Sequence, residues 1–269
     1  MNRIAIYGKG GIGKSTIASN ISACLAAQGE KILQIGCDPK HDSTILISLN
    51  EYSTVLDLLR TGSLIDEESV IHHGKMGIDC IEIGGPTPGV GCAGRGIIRG
   101  IEVLERLGIL QKEYDLLVYD ILGDVVCGGF FEPIKNHKAD VMYVVTSGEF
   151  NSLFAANNIC AGYNNCQLKE KGLRFGGVIG NLRGIKKEEK IIQQFCEKAN
   201  VNLVSIVPRD EMIEESTFTG VPVVTAFPNS DVSRIFHDLA QNINDSCFDT
   251  RTPSPLTLSE LRTLIQATR

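Results

Sequence analysis

Eight residues close to the amino terminus, Gly8-Lys9-Gly10-Gly11-Ile12-Gly13-Lys14-Ser15, restrict what this chain can fold into more than any other stretch. They fit the pattern G-x-x-x-x-G-K-[ST]. The apolar run Arg3–Tyr7 precedes them, and a helical pattern over Ser15–Gln28, closed by Gly29, follows. A strand, a glycine loop and a helix are the setting in which this pattern binds phosphate. Glycines let backbone N–H groups turn inward around phosphate oxygens, and the helix N-terminus adds its dipole. Lys14 supplies a point charge near the β- and γ-phosphates, and the Ser15 hydroxyl is placed to ligate Mg²⁺.

The remainder of the chain continues the alternation. Lys31–Gly36, Ile78–Ile83, Asp115–Tyr119, Val141–Thr146, Gly176–Asn181 and Asn202–Val207 read as strands. Helical patterns run over about 95–107, Phe150–Tyr163 and Glu188–Lys198. Continuous apolar strands suit a parallel sheet covered on both faces. Strand–helix alternation implies right-handed crossovers, hence an α/β, doubly wound, mostly parallel sheet with ligands at the carboxyl ends of its strands. The 28 glycines of 269 residues exceed the usual share, and the conspicuous glycine loops fall at such ends. A formal charge of −6 excludes a chain-wide nucleic-acid surface, which needs a basic face. No apolar run reaches the roughly 18 residues of a membrane span. The motif begins too early to leave room for a signal peptide, so a cytoplasmic protein is expected.

Several carboxylates stand at strand ends beside the glycine loop. Asp120 ends the apolar run LLVY, the usual place for an acid that holds Mg²⁺ directly or through water. Asp124 follows in a loop, and Asp38 ends the second strand with Asp42 four residues on. A turn residue or helix cap is the competing reading, stronger for Asp42 than for Asp38. Lys9 is a second lysine inside the loop. Taken alone it is a solvated side chain; as part of the motif it resembles the deviant Walker A class of P-loop NTPases. That resemblance implies a dimer in which Lys9 reaches the nucleotide of the opposite subunit.

Nine cysteines include no CxxC pair, and most should be small buried hydrophobes. Two differ in their frames: Cys92 in Gly89-Val90-Gly91-Cys92-Ala93-Gly94-Arg95-Gly96, and Cys127 in Asp124-Val125-Val126-Cys127-Gly128-Gly129. Glycine lets backbone N–H groups approach an anion, including the sulfides of an iron–sulfur cluster. Two thiolates do not complete a [4Fe–4S] site, which takes four; a symmetric dimer supplies four.

The segments GKGGIGKST, CDPKHDST, GGPTPGVGCAGRG, YDILGDVVCGGF, TSGEFNSLFAANNI and VPRD together closely resemble the nitrogenase iron protein family. Its relatives include reductase components for protochlorophyllide, nickel-tetrapyrrole and methylthio-alkane chemistry. The resemblance covers about residues 1–245. It implies a homodimer with one [4Fe–4S] cluster held by Cys92 and Cys127 of each chain, and one MgATP per chain. It also implies a low-potential donor such as ferredoxin or flavodoxin, and a separate catalytic component that receives the electrons. By position, Lys9, Gly10, Gly11, Ile12, Gly13, Lys14, Ser15 and Thr16 match the nucleotide loop. Asp38, Lys40 and Asp42 match the first switch, and Asp120 and Asp124 the second, which runs straight to Cys127. Asn181 matches an adenine-contacting asparagine, and Pro208, Arg209 and Asp210 another nucleotide-side element. Arg95 matches a surface arginine that some members carry ADP-ribosylated at the partner-docking face.

Departures from the pattern bear on the subfamily. Nitrogenase members usually read DPKADST; His41 here is the protochlorophyllide-type residue, whereas TSGE (146–149) and AANNI (155–159) look nitrogenase-like. Glu214, Thr217 and Val232 poorly match the family's polar nucleotide-side residues. A nitrogenase-type partner is the first expectation and a tetrapyrrole-type partner the second. From other classes, a dimeric positioning ATPase shares Lys9, Lys14 and the fold but has no need of Cys92 and Cys127 in glycine frames; an iron–sulfur carrier is the third reading. Residues 246–269 are expected to be a linker and a short helix. Phe248–Pro255 reads as the linker, Thr257–Glu260 as a capping box, and Leu258, Leu261, Leu264 and Ile265 as one apolar face docked on the body or on a second subunit.

Overall fold

The computed structural model describes residues 2–62, 64–86, 92–123, 131, 134, 138–245 and 251–268. Within them the chain runs β1 (Asn2–Gly8), α1 (Lys14–Ala26), β2 (Ile32–Cys37), α2 (Val55–Thr61), α3 (Glu67–Val70), β3 (His72–His73), β4 (Asp79–Glu82), α4 (Ala93–Arg106) and β5 (Leu116–Leu122). It continues with β6 (Val141–Thr146), α5 (Phe150–Asn165), β7 (Arg174–Asn181), α6 (Glu188–Lys198), β8 (Leu203–Val207), α7 (Glu211–Thr219), α8 (Val223–Ala226), α9 (Asp231–Asn244) and α10 (Leu258–Thr268). The strands form one sheet in the order β3-β4-β2-β5-β1-β6-β7-β8. Every pairing is parallel except β3 with β4, at one edge. The expected doubly wound α/β sheet is the one observed.

The central strands are buried on both faces, which is why they read as unbroken apolar runs. Alternate residues feed two cores. Ala5, Tyr7, Leu33 and Ile35 face α4, α5, α6 and α10; Ile4, Ile6, Ile32 and Val118 face α1, α8 and α9. Full burial of each large aliphatic side chain contributes about 1.5–3 kcal/mol. Among the described residues no helix is long and apolar enough to cross a membrane.

Four points of the sequence reading are corrected in detail. Asp120 lies inside β5, which continues to Leu122, and Asp38 stands one residue beyond β2. The sequence reading assigns no helix between residues 207 and 257, where the fold has α7, α8 and α9. Leu258 is 45% exposed, so the docked face of α10 is Leu261, Leu264 and Ile265. Leu258 is the first residue of the helix. The segment before α10 is tied down: Asn157 Nδ2 donates to the Leu256 carbonyl at 2.8 Å, and Leu256 N–H donates back to Asn157 Oδ1 at 2.7 Å. Asn164 Nδ2 donates to the Pro253 carbonyl at 2.8 Å, and Ser254 N–H to that of Ala199 at 2.7 Å. The Thr257–Glu260 capping box forms as expected.

Candidate functional site

The glycine loop leaves the carboxyl end of central β1 and enters α1. Gly11 (φ 72°) and Gly13 (φ 95°) take left-handed backbone, which glycine adopts without Cβ strain. Gly13 is the N-cap of α1 and brings no side-chain cap. The first-turn N–H groups therefore face the loop without a capping oxygen, the arrangement that receives an anion. A Cβ on Gly13 would stand 2.4 Å from Asn181 Nδ2. That amide donates to the Ile12 carbonyl at 2.7 Å, and the Arg183 guanidinium donates to the Gly11 carbonyl. The end of β7 thus braces the loop.

Lys14 is buried and its ammonium reaches back toward the Lys9 carbonyl at 3.5 Å. The Lys9 side chain is half-buried, and among the described residues no carboxylate pairs with it. Asp120 is 1% exposed, and neither of its carboxylate oxygens receives a completed hydrogen bond. Burial lifts its carboxyl above the usual carboxylate range; the Lys14 charge and the nearby Ser15 and Ser43 hydroxyls oppose this, while Asp38 adds to it. A buried carboxylate with two unsatisfied oxygens beside Lys14 and Ser15 fits a hard divalent cation delivered with a phosphate ligand.

Asp38 is buried and behaves partly as a turn residue, accepting the Lys40 N–H at 2.9 Å. Lys40 is exposed and Asp42 half-buried. No described helix begins at Asp42, so the cap reading of that residue does not apply. Gly13, Thr16, Asn181, Pro208, Arg209 and Asp210 share the wall of a cleft of about 320 Å³, near the lower end for small-ligand pockets. Asp210 also caps α7, accepting the Met212 N–H at 2.8 Å. Glu214, Thr217, Phe218 and Phe236 also line the cleft, and Glu214 reaches the Arg209 guanidinium at 3.5 Å. Val232 is buried in the core rather than lining the cleft. Sequence reading missed Arg183 and Phe236; the helical stripe of α9 carries the signal for the second.

Cys92 is exposed and immediately precedes α4, whose first turn bears exposed Arg95. Cys24, Cys37, Cys80, Cys160 and Cys196 are buried. Burial pushes the thiols of Cys24, Cys80, Cys160 and Cys196 up to about 12, the inert behaviour expected of core cysteines. An exposed sulfur at a helix start, apart from the core thiols, fits a cluster ligand shared with a second chain. Asp124 and Cys127 lie outside the described residues. The strand that precedes them is described: Gly123 N–H donates to the Gly8 carbonyl at 2.9 Å, so the last described residue before them sits against the first glycine of the loop.

Known proteins agree with this geometry. A cell division ATPase MinD of Pyrococcus furiosus superposes with TM-score 0.67 at 20% identity, covering 91% of this chain and 98% of that one. A ParA family ATPase of Chlorobium tepidum gives 0.69 at 20%, covering 89% and 97%. These likenesses establish the P-loop ATPase fold alone. Nitrogenase iron protein 2 of Methanothermobacter thermautotrophicus is 47% identical, over 90% of this chain and 89% of its own length. Nitrogenase iron protein 2 of Methanothermococcus thermolithotrophicus is 42% identical over 98% and 95%. The family model of the 4Fe–4S iron–sulfur cluster binding proteins, NifH/frxC family, matches residues 2–269, thus including the carboxyl-terminal segment that the sequence reading left outside the resemblance. The chain therefore belongs to the NifH/frxC family, the nitrogenase-type reductase components whose cofactors are a 4Fe–4S cluster and MgATP.

Proposed function

We propose that the protein works as a homodimer that donates single electrons to a separate catalytic component under the control of MgATP. Cys92 and Cys127 of each chain hold the bridging cluster. When bound, that cluster supplies the one-electron carrier. Lys14, Ser15 and the α1 N-terminus bind the phosphates, Asp120 holds the metal side, and Lys9 acts across the subunit boundary. Asn181 and Pro208–Asp210 form the base-side wall. The observation that carries the reading is the Gly8–Gly123 contact: the strand bearing Asp120 ends against the nucleotide loop, and the chain then passes through Asp124 to Cys127. Movement of the second switch has three residues to travel before it reaches a cluster ligand. Nucleotide acts only by favouring one arrangement over the other.

Anaerobically purified protein is expected to bind about four irons per dimer, by the four-thiolate rule, and Cys92→Ser should remove them while Cys24→Ser does not. MgATP should speed iron removal by a chelator relative to MgADP. Equal rates in the apo, MgADP and MgATP forms would reject the gating and leave a cluster carrier. A nitrogenase-type partner is the first reading, supported by the relatives above. His41 supports the second, a tetrapyrrole-type partner.

A further inference from the structure

Two buried polar side chains in the sheet have no part in the site described so far. Gln34 interrupts the apolar run ILQIGC of β2, and Glu82 ends β4; they are 0% and 4% exposed. Both stand on the face that carries α1, since Ile32 and Cys80 beside them belong to that core. An amide or carboxyl buried there is costly unless hydrogen-bonded. The partners each one finds are consecutive residues of the segment that follows β2.

Gln34 Nε2 donates to the Ser43 carbonyl at 2.9 Å and lies 3.1 Å from Ser43 Oγ. Its Oε1 accepts the Ser22 hydroxyl at 2.8 Å, so α1 sets which way the amide faces. Ser19, also on α1, donates its hydroxyl to the same Ser43 carbonyl at 3.2 Å. Glu82 Oε1 accepts both the Thr44 N–H and the Thr44 hydroxyl, each at 2.8 Å. With its one proton given to Glu82, the Thr44 hydroxyl accepts that of Tyr52 at 2.5 Å. The other carboxyl oxygen of Glu82 leans over Gly36, where a Cβ would come within 1.9 Å of it. Gly36 is the register partner of both Glu82 and Asp120. The residues upstream are held differently. Lys40 and His41 are exposed, His41 sits at φ 47°, and among the described residues their N–H groups bond only to the nearby Asp38.

We propose that Ser43–Thr44 is the fixed pivot of the first nucleotide-sensing switch, and that Gln34 and Glu82 are the positioning residues that fix it. Nucleotide then displaces Pro39–Asp42, while the chain from Ser43 onward keeps its place on the sheet. The proposal rests on the reading of Asp38–Asp42 as a switch. A loosened pivot spreads that segment over more arrangements and lowers the fraction competent for nucleotide. Apparent affinity falls by that fraction, whereas turnover at saturation is unaffected.

Residue-resolved hydrogen exchange on the full chain, in apo, MgADP and MgATP forms, tests this. The Thr44 amide is expected to stay protected in all three states while the amides of 40–42 change with nucleotide. Gln34→Leu and Glu82→Leu should each raise Thr44 exchange by about tenfold, the worth of one hydrogen bond, and raise KM for MgATP several-fold with kcat little changed. Glu82→Gln, which keeps the acceptor for Thr44, should behave as the unaltered protein. Nucleotide-dependent exchange at Thr44 matching that of 40–42 would overturn the proposal. So would Leu variants that leave both Thr44 exchange and KM unchanged. If nucleotide alters exchange nowhere in the chain, the switch reading fails instead, and apo exchange in the two Leu variants still decides whether Gln34 and Glu82 hold Thr44.

Discussion

Lysines 9 and 14 share one loop, and the proposed function gives them different tasks. Lys14 is buried with its charge beside Asp120, so a neutral amide there leaves the phosphates uncompensated. Lys14→Gln should abolish MgATP binding in calorimetry. Lys9→Gln should bind nucleotide and lose hydrolysis, because its proposed partner is the nucleotide of the other subunit; hydrolysis at the unaltered rate would reject that assignment. Glu82 yields a prediction about pH. Burial pushes its carboxyl up to about 8; Thr44 opposes the shift, and the neighbouring Asp120 and Asp42 charges add to it. In the unfolded chain it ionises near the ordinary value, so between about pH 4.5 and 8 the folded state holds a proton that the unfolded state has lost. Stability from this group is present below that window and declines as pH rises through it, by at most about 1.4 kcal/mol per pH unit. Urea titrations of Glu82→Gln at pH 5 and pH 8 should show a smaller loss than the unaltered chain. The loop and Asp120 were legible in the sequence because their pattern is local. Gln34 and Glu82 stood in plain view, yet their role depends on which distant residues fold over them.

Among the elements, the parallel strands were legible because burial on both faces leaves no polar alternation to blur them. Helix α9 carried an equally plain stripe, Val232, Phe236, Leu239, Ala240 and Ile243, behind an N-cap at Ser230. Helix α7 did not: only Ser216 is buried along its length, so no apolar period exists to be read. The carboxyl-terminal segment shows how composition misleads. Pro, Ser and Thr suggest a free linker, but its backbone groups are met by Asn157, Asn164 and Ala199. Asn157→Ala removes two hydrogen bonds to Leu256 and should lower stability by about 2 kcal/mol in thermal melts, at about one per bond. MgATP affinity should not change, since neither Asn157 nor Leu256 lines the cleft beside the loop. A loss of nucleotide binding equal to that of Lys14→Gln would show instead that the segment supports the site.

At the scale of the molecule, the proposed coupling of nucleotide to cluster runs along a short leash. Gly123 is pinned to Gly8, and Cys127 comes four residues later. A fully extended chain spans at most about 3.6 Å per residue, so a four-residue stretch reaches no further than about 14 Å. Slack, rather than sequence, then sets how faithfully a pull at one end arrives at the other. Two glycines inserted between Val125 and Val126 would lengthen the leash by up to about 7 Å. Iron content and ATP hydrolysis are expected to survive, and the MgATP-induced acceleration of iron chelation to disappear. Acceleration that persists in the lengthened protein would mean that the signal crosses between subunits and not along the chain.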